Sequence, residues 1–575
     1  MNETRFRWRN RQLREHAAVI DGAIAPTKLI KHTTYLNVYL KKWMSGHIWL
    51  YEDRIVYTGT ELPSNTEGTE IIDGKDHYIV PGYIEPHAHP FQLYNPRSLA
   101  EYAVQTGTTT LVNDNLMWLF LTDKEKAFSL LEEFMKVPAT MYWWARFDSQ
   151  SALREEDKKR FENQIPDWIE HDAVIQGGEL TAWPDVLYGG DDRILHWMQE
   201  TKRARKPLEA HLPGASEKTL VKMRLLGMNS EHESMNADDV LKRLELGYQT
   251  GLRYSSIRPD LPEILEGLQN QGHDHYSHLM FTTDGSTPGF YREGLINQCI
   301  RIAIEKGVPP IDAYMMATYE PARHFGIDNR VGSLNVGRVA HLNFLQDPND
   351  PTPVKVIAKG EWVNHEETPI EWERNGVSRL DLDWDLKDND LQFSMPVGLE
   401  MINDVIMKPY AVDTDASVDR IASDNEEAFL SLIDREGEWA VNTLLKGFTQ
   451  SLGGLVSSYS NTGDIIFIGK SKSDMRKAFQ RMKEIGGGIV LVDHGEVIFE
   501  MALPLGGTMS DLPLQELIQE EAELKKQLNA HGFTYNDPVY TLLFLSSVHL
   551  PFTRITPLGI MDVKKKEVLF PSIMR

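Results

Sequence analysis

The sequence predicts a (β/α)8 barrel inserted in a composite β-sandwich, with an additional C-terminal α/β domain. Three observations carry this reading. Short apolar runs alternate with amphipathic helical stretches from Pro81 to about Gly326; turn-separated β-like runs flank that segment on both sides; a β-α-β-β order closes the chain. At 575 residues the chain exceeds what one core can hold, so several domains are expected. The expected boundaries are 1–80 and 329–380 for the two halves of the sandwich, 81–328 for the barrel and 381–575 for the last domain.

The first half of the sandwich reads from Leu36-Asn37-Val38-Tyr39-Leu40, His47-Ile48-Trp49-Leu50 and Arg54-Ile55-Val56-Tyr57, each bounded by turn residues. Barrel strands are expected at Ile79 to Ile84, Thr109 to Val112, Met141 to Phe147, Ala173 to Gln176, Pro207 to Ala210, Gly227 to Ser230, Leu252 to Ile257 and Leu279 to Thr283. Helices such as Arg193 to Lys206 and Ala237 to Tyr248 lie between them. Val331 to Leu334 and Val354 to Val363 return to short strands, which would rejoin the first half of the sandwich. A polar stretch from Asp381 to Asp390 reads as a linker. Beyond it come the strand Ile465 to Gly469, the helix Ser473 to Ile485, the glycines Gly486 to Gly488, and the strands Ile489 to Val492 and Val497 to Met501. The triple glycine ends a helix; no Lys-Ser/Thr follows it to make a phosphate loop. Glu516, Glu520, Glu521, Glu523, Lys525 and Lys526 read as a solvated helix face.

Composition narrows the function. The single cysteine, Cys299, excludes an internal disulfide framework and a Cys-based zinc site, and fits a reducing, cytoplasmic setting. A net charge of −24 disfavours nucleic acid and anionic membranes, leaving a small molecule as the expected partner. No stretch is long enough to span a bilayer, and Arg5, Arg7, Arg9, Arg11 and Arg14 suggest a solvated basic helix rather than a signal peptide.

Chemistry in such a barrel sits at the C-terminal strand ends. The first strand leads into His87-Ala88-His89, whose i, i+2 spacing turns two imidazoles the same way. The fourth ends in Gly177-Gly178-Glu179, the fifth in Glu209-Ala210-His211, the sixth in Glu231-His232-Glu233 and the eighth in Thr283-Asp284-Gly285. Alone, Glu179 could cap a helix, His211 could be a core histidine and Asp284 a turn residue. Together they fill five of the eight strand ends with metal-type ligands. His87, His89, Glu179, His211, His232 and Asp284 suit two divalent ions, manganese first, with iron or zinc as alternatives. Two close cations need a shared anion, and Glu179 is placed to bridge them. Metal ions acidify water for attack on an electrophilic carbon, and Asp284 can carry its proton to a leaving nitrogen. Glu233 is a second catalytic candidate, either moving a proton to a ring nitrogen or orienting the neighbouring histidine.

The ligand order His-x-His, Glu, His, His, Asp resembles that of the amidohydrolase superfamily. From Leu29 onward the chain is similar to bacterial adenine deaminases, through Pro81-Gly82-Tyr83-Ile84-Glu85-Pro86-His87-Ala88-His89, His211-Leu212-Pro213-Gly214, Phe281-Thr282-Thr283-Asp284 and Leu503-Pro504-Leu505-Gly506-Gly507-Thr508-Met509-Ser510. The resemblance implies a metal-dependent hydrolase barrel, deamination of adenine to hypoxanthine and ammonia, a purine substrate and a homo-oligomer. Three segments depart from the family pattern. Pro90-Phe91-Gln92 stands for Ile-Glu-Ser, Asn113-Asp114-Asn115-Leu116 for Asp-Pro-His-Glu, and Ser460-Asn461-Thr462-Gly463-Asp464 for a histidine-bearing stretch. The ligands are kept while polar pocket groups change, which suggests N6-alkylated adenine as a further substrate, with Phe91, Leu116, Met117 and Trp118 forming an apolar slot. Arg258 is expected to close the seventh strand. The rival readings are a cyclic-amide hydrolase on the same scaffold and a purine-binding barrel without turnover.

Overall fold

The computed structural model describes residues 9–575, so Arg5 and Arg7 lie outside it, while Arg11 and Arg14 fall on the helix Asn10–Ile20. Eight parallel strands follow one another around a single sheet in strict chain order: Tyr83–Ala88, Thr108–Asn113, Thr140–Ala145, Val174–Leu180, Leu208–Ala210, Ser230–Glu231, Gln249–Arg253 and Leu279–Thr282. The last strand returns against the first. There the buried Glu85 carboxylate accepts hydrogen bonds from Thr282 Oγ1 at 2.7 Å and from the Thr283 backbone at 2.8 Å. The barrel expected from the alternating pattern is therefore present, with helices such as Asp192–Arg203 and Ala237–Glu245 between its strands.

Three strand boundaries differ clearly from expectation, the sixth strand being Ser230–Glu231 rather than Gly227 to Ser230. The run Ile79 to Ile84 is not one strand: Tyr78–Pro81 pairs with Leu342–Leu345, and only Tyr83–Ala88 enters the barrel. The change of sheet falls at Gly82, where a Cβ would come within 2.0 Å of Thr109 Oγ1, so only glycine fits the crossing. The seventh strand is Gln249–Arg253, not Leu252 to Ile257. Arg253 is its last residue, and Arg258 lies in the loop, where Ser255 and Arg258 exchange backbone hydrogen bonds at 3.2 Å. The β-like composition of Tyr254 to Ile257 conceals that turn.

A second eight-stranded sheet combines strands from both sides of the barrel: Lys28–Asn37, Lys42–Tyr51, Arg54–Gly59, Glu70–Asp73 and Tyr78–Pro81 with Leu342–Leu345, Lys355–Ala358 and Glu361–Trp362. The C-terminal part is β-rich. Its nine-stranded sheet carries Ile465–Gly469, Gly488–Asp493 and Glu496–Ala502, with the helix Lys472–Ile485 packed on it and stopped by Gly486 at φ 76°. The acidic linker is no solvated tether. Leu380, Leu382 and Leu391 are buried in the core of this sheet, and Trp384 stacks on Phe479 at 4.8 Å between centroids. Nor is the helix Leu514–Ala530 charged on a purely solvated face, because Glu521 is buried and accepts from the Gly289 backbone of the loop after the eighth barrel strand.

Candidate metal centre

The site begins with a carboxylate inside the barrel. Glu209 accepts from His87 Nδ1 at 3.0 Å, from His232 Nδ1 at 3.1 Å and from Gln176 Nε2 at 2.6 Å. Fixing Nδ1 of both rings turns their Nε2 lone pairs toward the C-terminal mouth. His89 is held the same way: its Nδ1 donates to Asp114 Oδ2 at 2.7 Å, and Arg146 Nη2 pins that oxygen at 2.6 Å. Trp144 stacks on the His87 ring, 4.5 Å between centroids at 20°, closing its other face.

Glu179 lies between these rings because the chain before it passes close to the next strand. A Cβ on Gly178, whose φ is +82°, would meet the Glu209 carbonyl at 2.2 Å. Glu179 Oε2 is 3.9 Å from His87 Nε2 and 3.8 Å from His89 Nε2. Its Oε1 is 2.8 Å from His211 Nδ1 and 3.6 Å from His232 Nε2. Asp284 Oδ1 joins the first side, 3.0 Å from His89 Nε2 and 3.7 Å from His87 Nε2. One carboxylate thus addresses two groups of donors, His87, His89 and Asp284 on one side and His211 and His232 on the other.

These donor sets fit divalent cations. Glu179 Oε2, His211 Nδ1 and His232 Nε2 are buried and lack a well-formed hydrogen bond, with Arg146 Nη2 3.1 Å from Glu179 Oε2 and His211 Nδ1 2.8 Å from Glu179 Oε1. Burial raises the carboxylate pKa values, yet cations outweigh it. Arg146 and His89 bring Asp114 down to about 2, while Arg146, His211 and His87 hold Glu179 well below the usual range, as Arg253 and His89 do for Asp284. Convergent imidazole nitrogens, which bind as neutral rings, beside ionised carboxylates are what a hard-to-borderline divalent ion requires.

All six predicted ligands and Glu233 come together. Glu233 Oε1 lies 3.4 Å from His211 Nδ1 and from His232 Nε2, and Arg253 Nη1 approaches it at 2.5 Å. Against the cost of burial, His211, Arg253, His232 and Arg258 lower Glu233 to about 2. Arg258 spans Glu233 and Asp260, a structural ion pair. The four residues expected to form an apolar slot are neighbours. Phe91, Leu116, Met117 and Trp118 lie in one buried apolar cluster, Trp118 against Phe134 and Trp143 and the Phe91 ring 6.1 Å from His89.

Sequence reasoning missed Glu209, Asp114, Arg146, Trp144 and Arg253. Only Glu209 carried a signal, sharing the i, i+2 pattern with His211. Arg253 reaches Asp284 Oδ2 at 2.7 Å as well as Glu233, tying two acidic groups from different strand ends. The sequence left the role of the C-terminal domain open between covering the barrel mouth and building a subunit contact, and in the structure it forms part of the rim. Tyr459 donates to Gln92 Oε1 at 2.6 Å, Tyr540 donates to the Gly285 carbonyl, and the His549 ring stands edge-on to His211 at 5.7 Å.

Comparison with known proteins sets this geometry in a family. Residues 78–363 match the amidohydrolase family and residues 404–567 the adenine deaminase C-terminal domain. A protein of Oceanobacillus iheyensis named "Putative adenine deaminase" is 52% identical over 99% of both chains. One of the same name from Halalkalibacterium halodurans is 50% identical over the whole of both. The chain belongs to the adenine deaminase family. An "Adenine deaminase" of Listeria welshimeri is 27% identical over 97% of this chain and 98% of its own. As a member of this amidohydrolase family the protein is a hydrolase, and the paired donor groups are where its barrel could hold metal. Among the described residues no helix is long and apolar enough to cross a membrane.

Proposed function

We propose that this enzyme removes the exocyclic amine of adenine by hydrolysis, giving hypoxanthine and ammonia, with two divalent ions, manganese first, at the site described. The single observation that carries the reading is full-length similarity of about half the residues to proteins bearing the adenine deaminase name, including the C-terminal domain. The centre supports it: His87, His89 and Asp284 would hold one ion, His211 and His232 the other, and Glu179 both. Bound divalent ions supply Lewis-acid activation of water and of the substrate.

The residues divide the remaining work. Asp284 offers Oδ1 to the reacting centre while Arg253 fixes Oδ2, so Asp284 accepts the proton of the attacking water at one defined oxygen. The water oxygen bonds to C6, the C6–N6 bond breaks, and Asp284 returns the proton to the departing amine. Glu233, ionised between Arg253 and Arg258, adds negative charge beside the His211 and His232 donors rather than storing a proton. The apolar cluster of Phe91, Leu116, Met117 and Trp118, with Phe91 beside His89, supports an extension of the substrate range to N6-alkylated adenine.

Ammonia release from adenine and methylamine release from N6-methyladenine, by manganese-loaded protein, test this. Adenine turnover reduced by about 10²-fold or more in Asp284→Asn is expected. No release from either base by protein holding two metals per chain overturns the substrate assignment, and release of ammonia from adenine with no methylamine from N6-methyladenine overturns the extension.

A further inference from the structure

The metal donors all come from the barrel, yet the mouth above them is not made by the barrel alone. The C-terminal region touches the loops that follow three of the donor-bearing strands. Tyr459 binds Gln92, three residues past His89; Tyr540 binds the carbonyl of Gly285, next to Asp284; and His549 meets His211. The segment carrying His549 is anchored to the loop after the third barrel strand. The Val548 backbone donates to the Gln150 carbonyl at 2.9 Å, and Ser547 bridges to Ser151. Behind it the Phe544 ring packs edge-on at 5.5 Å and fixes the imidazole from the side away from His211.

This placement leaves one polar group unexplained. Nδ1 of His549 is buried and has no hydrogen-bond partner, beside a cluster whose own unpartnered atoms belong to the metal ligands. Leaving such a nitrogen unpaired costs more than a formed hydrogen bond returns, so a fold retains it where a ligand completes it. His549 differs from His87, His89 and His232, because no carboxylate locks its ring and no second donor group surrounds it. It is built to meet something other than a metal ion.

We infer that His549, supplied by the C-terminal domain, is a substrate-binding residue whose Nδ1 hydrogen-bonds a ring nitrogen of the purine seated at the mouth beside His211. This deepens the proposed function and rests on it. The C-terminal domain then contributes directly to recognition, and the active site is completed only when that domain closes over the barrel.

The test measures binding of purine, which has no amine to lose, and of its 1-, 3- and 7-deaza analogues, by calorimetry on the manganese-loaded full chain and its His549→Ala and His549→Gln variants. The native protein is expected to bind one analogue on the order of tenfold more weakly than purine, the worth of one hydrogen bond. In His549→Ala purine itself weakens by that factor, the penalty for that analogue disappears and the other two analogues keep theirs; His549→Gln recovers part of the loss. The KM for adenine should rise with kcat nearly unchanged, as for an interaction made equally in ground and transition states. Unchanged discrimination in His549→Ala overturns the inference, and so does loss of bound manganese, which would mean the ring serves His211 alone. If the native protein binds purine but releases no ammonia from adenine, only the deamination reading falls, and the analogue series still decides the role of His549. If it binds no purine, both fall.

Discussion

Glu209 shows how a single residue governs the centre without facing the substrate. Its two oxygens take the Nδ1 protons of His87 and His232, ligands from opposite sides of the donor cluster. Glu209→Gln replaces a shared anion with an amide that can accept at only one end, so one imidazole loses its fixed tautomer. The expected outcome is a 10- to 100-fold loss of metal affinity, roughly the cost of removing such a supporting carboxylate, read as residual metal after dialysis against a chelator of graded strength. That His87, His89, Glu179, His211, His232 and Asp284 converge was legible in the sequence because each stands at a strand end in a recognisable order. Their supports were not: Asp114, Arg146 and Arg253 act through partners 25 or more residues away or on another strand, and only barrel closure brings them together.

At the scale of elements, the strand Val174–Leu180 places Glu179 through the close passage of Gly178 against Glu209. Gly178→Ala puts a methyl group 2.2 Å from a backbone carbonyl, at a φ that suits glycine. Either the strand end shifts and metal binding is lost, or the neighbouring strand gives way. The melting temperature of the metal-free variant should fall, and its stabilisation by added manganese should shrink. A conservative glycine-to-alanine exchange at Gly190, with open space around it, is the control. Element types were read correctly through the barrel because period and length separate its strands from its helices. Two of the misplaced strands share one cause. In Ile79 to Ile84 and in Leu252 to Ile257 a β-like composition runs past the point where the chain changes sheet or turns, and composition alone does not mark that point.

For the whole molecule, stability carries a pH dependence from the C-terminal region. Burial pushes the Asp464 carboxyl up to about 7, against the hydroxyl of Thr462, which donates at 2.5 Å. The folded protein therefore holds this proton more tightly than the unfolded chain, and stability falls as pH rises from about 4, the ordinary carboxylate value, toward 7. Over that window the loss is at most about 1.4 kcal/mol per pH unit. Asp464→Asn removes the dependence. Urea unfolding should show the variant more stable than the parent at pH 8, with the difference shrinking as pH is lowered; an equal difference at pH 5 and pH 8 would contradict this origin. Much of this global behaviour was hidden from the sequence, where the stretch from Asp381 to Asp390 and the helix Leu514–Ala530 looked solvated but are packed at interfaces.

The sheet that pairs Val80 with Asn343 also sets a timetable for synthesis. The strand Tyr78–Pro81 emerges from the ribosome long before Leu342–Leu345, and at about 5–20 residues per second the interval is on the order of ten to fifty seconds. Throughout it the nascent chain presents an unpaired sheet edge directly upstream of the first metal-ligand segment. Because Gly82 joins that edge to the barrel without a linker, the strand bearing His87 and His89 gains its final anchor only when translation has passed the entire barrel. That pairing of the N-terminal sheet thus waits for the whole barrel to be made, and a stalled or truncated chain ending before Leu342 would lack it.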